Sequence, residues 1–98
     1  MDVHLPGADS LKAKRALLRR VQAGLRDELG CSVAEVGYQD RWQRAALGVA
    51  VTASAPAGVD RVLERVISIV ERDPRIVVLA TVELADVLDT DGGELPLP

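Results

Sequence analysis

Apolar and polar positions along this chain switch between two periods, and the switches predict six elements. VHLP, residues 3–6, reads as the end of a short strand, stopped by Pro6-Gly7. At about 100° per residue, Leu11, Leu17, Leu18, Val21, Leu25 and Leu29 then share one helical face. Asp9 or Ser10 can cap the start of that helix, and Gly30 ends it. CSVAEVGY (31–38) and WQRAALGVAVTAS (42–54) read as strands joined by Gln39-Asp40-Arg41, a hairpin of ordinary loop length. Ser54 and Pro56 introduce a second helix, whose stripe is Val59, Val62, Leu63, Val66 and Val70, flanked by Ile67 and Ile69. Asp73-Pro74 stops it, and RIVVLATVELADVL (75–88) is a long final strand.

The order β-α-β-β-α-β predicts an α+β, ferredoxin-like sandwich, with a four-stranded antiparallel sheet in the order 4-1-3-2 and two helices on one face. Residues 1–88 make one domain, and the acidic, Gly- and Pro-rich 89–98 a flexible tail. Helices on one side leave the other sheet face uncovered. In the third strand Leu47, Val49 and Val51 point one way, and Ala46, Gly48, Ala50 and Thr52 the other. The fourth is apolar on both sides, with Ile76, Val78, Val82 and Leu84 against Val77 and Leu79. A face so poor in charge is expected to mean self-association, through that face or a strand edge. The competing reading is a monomer's scattered apolar surface.

Composition narrows the function classes. The chain has 98 residues, enough for one core, and with no Phe that core is aliphatic. No apolar run approaches the ~20 residues of a membrane span, and MDVHLPGADS lacks the features of a secretory signal. A single Cys31 forms no internal disulfide, which fits a cytoplasmic protein. Net charge is −3, against a generic nucleic-acid binder, yet six of the twelve basic residues lie between Lys12 and Arg26.

That cluster is an oddity. In SLKAKR, Lys12, Lys14 and Arg15 crowd the first turns of a helix, where the backbone dipole disfavours cations. Lys14, moreover, falls inside the apolar arc. One reading is an anion site of Lys12, Lys14, Arg15 and Arg19 for an RNA phosphate backbone. The other has Lys14 snorkelling and the rest forming a solvated helix face.

The whole aromatic stock, Tyr38 and Trp42, flanks the hairpin tip. Since side chains alternate along a strand, the tip aromatics are not expected both to line the sheet, as a base-stacking platform would require. A cross-strand clamp fixing register is one reading. An interaction tip of Tyr38, Arg41, Trp42 and Arg44 is the other, because Trp and Arg favour interfaces.

Catalytic constellations are missing from the pattern. His4 and Cys31 open different strands, and neither metal-ligand spacing, a G-x-S-x-G elbow nor a glycine-rich phosphate loop occurs. The chain has no Asn, which disfavours an acylphosphatase-type reaction. His4 reads as a strand-edge residue, Cys31 as a buried small hydrophobe. Glu35 reads as a cross-hairpin partner of Arg44, with no second acid or base beside it. No enzyme, cofactor, metal or small-molecule substrate is therefore expected.

SLKAKR on the first helix, VAEVG ending the second strand and QDRWQRAALGVAV across the turn and third strand resemble the small bacterial YlxP-like family, from about His4 to Leu88. The resemblance implies a ferredoxin-like fold with no catalytic residues to carry over. Members are often encoded among transcription-elongation, translation-initiation and ribosome-maturation factors, which implies a ribosome- or RNA-related role. They usually begin several residues earlier, so the first strand here is expected to be truncated, and upstream residues to raise thermal stability.

Overall fold

The computed structural model describes residues 1–52 and 56–83. The elements are β1 (Asp2–His4), α1 (Leu11–Leu29), β2 (Ser32–Gly37), β3 (Arg44–Ala50), α2 (Pro56–Val70) and β4 (Val77–Ala80). All sheet pairings are antiparallel, in the order β2-β3-β1-β4. A sheet order has no direction, so counted from the β4 edge it runs β4-β1-β3-β2. Both helical connections, β1 to β2 and β3 to β4, step over one intervening strand.

α1 forms where its periodicity places it. Ser10, in extended conformation, accepts a hydrogen bond from the Ala13 amide through its hydroxyl, and Gly30 closes the helix at φ 67°, a conformation glycine adopts without Cβ strain. Leu17, Leu18, Val21 and Leu25 are buried against Val66, Ile69 and Val70 of α2 and against Val3, Ala45 and Leu47 of the sheet. Both helices thus cover one sheet face. At their crossing, a Cβ on Gly24 would lie 3.3 Å from Ile69 Cγ2, so a bare backbone permits the approach. Cys31 is 3 % exposed, and burial pushes its thiol pKa up.

Three boundaries differ from the sequence reading. β1 lies at Asp2–His4, one residue earlier than read, while Leu5 turns into the core. β4 ends at Ala80 because its one partner strand, β1, offers only three residues of ladder; Thr81–Glu83 continue without strand pairing. The β2–β3 connection spans 38–43 rather than three residues, with Arg41 N–H donating to Tyr38 O across its tip. A register shift lies between Glu35 and Gly37, and Gly37, paired with Ala46, is the last residue of β2. Ser54, the side chain of Val59, Leu84–Leu88 and the tail 89–98 lie outside the described residues.

Candidate interaction surfaces

The uncovered sheet face is built by alternation. Val3, Ala45 and Leu47 point to the helices, so Asp2 and His4 on β1, and Arg44, Ala46, Gly48 and Ala50 on β3, point away. Ala34 and Val36 flank them on β2; Val77 and Leu79 do so on β4. Val36 is 65 % exposed, Val77 42 % and Leu79 49 %. A Cβ on Gly48 would stand 3.2 Å from Val36 Cγ1, so the glycine makes room for that side chain. The face carries one internal ion pair: Arg44 Nη2 donates to Asp2 Oδ2 at 2.6 Å and Nε to Oδ1 at 3.2 Å. This fork holds the Arg44 pKa above its usual value, chiefly through the hydrogen bond to Asp2.

The tip residues gather at one end of this face. Tyr38 has φ 57°, left-handed for a side chain that rarely adopts it. Together with the register shift, that turn brings its ring to Arg44, whose guanidinium carbon lies 4.7 Å from the ring centroid; that of Arg41 lies at 5.8 Å. Strict alternation does not hold for Tyr38. Trp42, half exposed, borders an open depression of about 750 Å³ with His4, Arg41, Arg44 and Leu79. Tyr38, Arg41, Trp42 and Arg44 therefore form one continuous end of the sheet surface, where Arg-on-Tyr stacking is the contact made.

The basic cluster at the start of α1 divides. Lys12, Arg15 and Arg19 are exposed, and among the described residues none of them has an ion pair. Lys14 is 1 % exposed and faces inward. Its Nζ lies 2.6 Å from Glu35 Oε2 and donates to Tyr38 O at 2.7 Å, with Gln39 O at 3.5 Å. The reading of Lys14 as a ligand for an outside anion is corrected on this point, because its ammonium is enclosed and already satisfied. Glu35 pairs with Lys14 and Arg44 with Asp2, so the expected Glu35–Arg44 pair does not form.

Sequence reasoning missed Asp2 as the partner of Arg44. Arg44 stands opposite His4 and Asp2 opposite Ala46, so the two meet as diagonal neighbours only through the β1–β3 register. It also passed over Val36 as an exposed residue, because SVAEVG alternates with no apolar preference for either side. His4, read as a strand-edge residue, is the last residue of β1, a strand paired on both sides, and borders the depression. Among the described residues no cluster of three His, Cys, Asp or Glu is placed to hold a metal, and no helix is long and apolar enough to cross a membrane.

Comparison with known proteins supplies a family and no activity. The chain is 38 % identical over 69 residues to the uncharacterized protein YlxP of Bacillus subtilis (strain 168), a match covering 70 % of this chain and 75 % of that one. The family described as protein of unknown function (DUF503) matches residues 1–83. With that span and that relative, the chain belongs to the DUF503 family, which includes YlxP-like proteins.

Proposed function

We propose that this protein acts by binding rather than by catalysis, as a cytoplasmic interaction module on a ferredoxin-like βαββαβ frame whose working surface is the uncovered sheet face. One observation carries the reading: Val36 on one edge strand and Val77 and Leu79 on the other are 65 %, 42 % and 49 % exposed, around the small Ala46 and Gly48 and an Asp2–Arg44 pair satisfied within the chain. An apolar sheet surface of that kind is unfavourable against water and favours a protein partner, here a second copy. The Arg44–Asp2 fork fits such a contact, since a pair already satisfied within one subunit brings no unpaired charge into the interface.

Sedimentation over a wide concentration range tests this. Self-association is expected, and Leu79→Glu and Val36→Glu should each weaken it about tenfold or more. A protein that stays monomeric at high concentration, with both variants behaving like the parent, overturns the reading.

A second reading, a ribosome- or RNA-associated accessory role, is favoured by Lys12, Arg15 and Arg19 standing exposed without ion pairs among the described residues. Binding to ribosomal RNA that weakens steeply with salt would support it. Absent or salt-independent binding would remove it.

A further inference from the structure

Three arginines far apart in the sequence meet where α1 crosses the end of α2. Arg20 comes from the middle of α1, Arg72 lies just beyond the end of α2, and Arg75 precedes β4. With Asp73 and Pro74 they rim a recess of about 450 Å³ whose floor is Val21, Gly24 and Ile69. At Gly24 no side chain fills the recess.

Two of the guanidiniums are held in place without being used up. Arg72 donates through Nη1 and Nη2 to Glu28, at 2.8 and 3.1 Å. Arg75 donates through Nε and Nη2 to Asp73, at 2.9 and 2.7 Å. Each fork fixes the plane of its guanidinium and occupies one edge of it. Among the described residues, Nε of Arg72 and Nη1 of Arg75 have no acceptor.

Arg20 is exposed and has no ion pair among the described residues. Three cations against Glu28 and Asp73 therefore leave one positive charge over at the recess. The local field agrees. The Asp73 carboxyl is held well below its ordinary range, chiefly by its bonds from Arg75 and in smaller part by the charge of Arg20. The Arg72–Glu28 pair links the turn after α2 to α1, and the Arg75–Asp73 pair shapes that turn, but neither needs a third cation beside it. Like charges at one rim repel, and an anion shared between them removes the repulsion.

Guanidiniums approaching from three places suit a tetrahedral anion, whose oxygens point in different directions, better than a planar carboxylate. We propose that this recess binds a phosphate group, that of a small phosphate ester or of an RNA strand, with Arg20, Arg72 and Arg75 donating to its oxygens. The recess is built from the helices and the turn after α2, and contains no residue of the uncovered sheet face and none of Lys12, Arg15 and Arg19. Its occupancy is therefore independent of self-association and of RNA binding at the start of α1.

The side-chain Nε–H signals of the arginines, followed by NMR in the intact protein, test this. Inorganic phosphate at about 10 mM, against chloride of equal ionic strength, should shift the signals of Arg20, Arg72 and Arg75 together, at about millimolar affinity. Arg20→Gln should weaken binding about fivefold through the loss of one charge-assisted contact, while Arg19→Gln, the same charge change at the neighbouring position, should leave it unchanged. Both side chains are exposed, so both variants should fold, which their melting midpoints check. Pentauridylate is the second probe. Binding through the same three signals at least about tenfold tighter than phosphate assigns the site to an RNA strand, and equal or weaker binding assigns it to a small phosphate ester. No shift with phosphate, or equal losses in the two variants, overturns the proposal, whether or not the RNA binds elsewhere on the chain.

Discussion

Lys14 Nζ lies 2.6 Å from Glu35 Oε2, with the lysine enclosed and the carboxylate side chain 20 % exposed. The carboxylate oxygen has no hydrogen bond of directed geometry, so charge holds the contact, while Tyr38 O accepts the directed bond from the ammonium. The first turn of α1 is thereby tied to the end of β2 and to the start of the turn that follows it.

The two partners should respond unequally to removal. Without Glu35 the ammonium of Lys14 stays buried and unmatched, whereas without Lys14 the partly exposed carboxylate can hydrate. Glu35→Ala is expected to cost about 3 kcal/mol and Lys14→Met about 1–2 kcal/mol in urea unfolding. The double variant should be less damaged than the sum of the two. Strict additivity would mean that the pair is not coupled.

The ends of α1 make separate contributions. Ser10→Ala removes the hydroxyl that accepts the Ala13 amide and should cost about 1 kcal/mol. Gly30→Ala places a Cβ at φ 67° and should cost about 1–2 kcal/mol, with no steric contact to blame, since nothing lies within 4 Å of the added atom. Chemical denaturation of both variants checks these values.

Asp73 gives a dependence on acid. Its carboxylate accepts from the Arg75 Nε at 2.9 Å, the Arg75 Nη2 at 2.7 Å and the Arg75 backbone N–H at 3.0 Å. The side-chain bonds to Arg75, then the backbone one, lower its pKa to about 2 from an ordinary 3.8. A pKa lowered by folding means stabilisation fully present above about pH 4 and lost as pH falls through about 2. Arg75 is half exposed, so solvent screening reduces the contribution to about 1 kcal/mol. Asp73→Asn should therefore melt below the parent at pH 6, and the difference should shrink between about pH 4 and 2. A difference independent of pH would assign the loss to turn geometry instead.

The basic residues of α1 can be separated by mutation. Arg15→Glu and Arg19→Glu should leave stability within about 0.5 kcal/mol, because both side chains are exposed. Lys14→Glu should unfold the protein, placing two carboxylates together under the turn. If RNA is bound, the first two variants should each lower affinity and flatten its salt dependence. Unchanged affinity and salt slope in both would take the α1 surface out of that interaction.

Much of the frame was legible because local signals agreed. The span Leu11–Leu29 follows from its periodicity and from Ser10 and Gly30 alone. The inward set Ala45, Leu47 and Val49 follows from alternation. What stayed hidden depends on partners distant in sequence. Glu35 occupies an inward position on β2 only because Lys14 arrives from another element, and Lys14 faces inward only because turn carbonyls receive it. Each looks anomalous alone, and the anomaly of Lys14 was read as an outside anion site. Tyr38 was held to alternation, which a register shift and a left-handed backbone override. The length of β4 was legible only through β1, its partner.

Cys31 provides this chain with an internal gauge. A single sulfur, shut away where α1 gives way to β2 and kept protonated by its surroundings, meets a water-borne alkylating reagent only when that junction parts. The labelling rate therefore counts excursions from the closed form. A second copy docked on the sheet would slow that clock without touching the thiol.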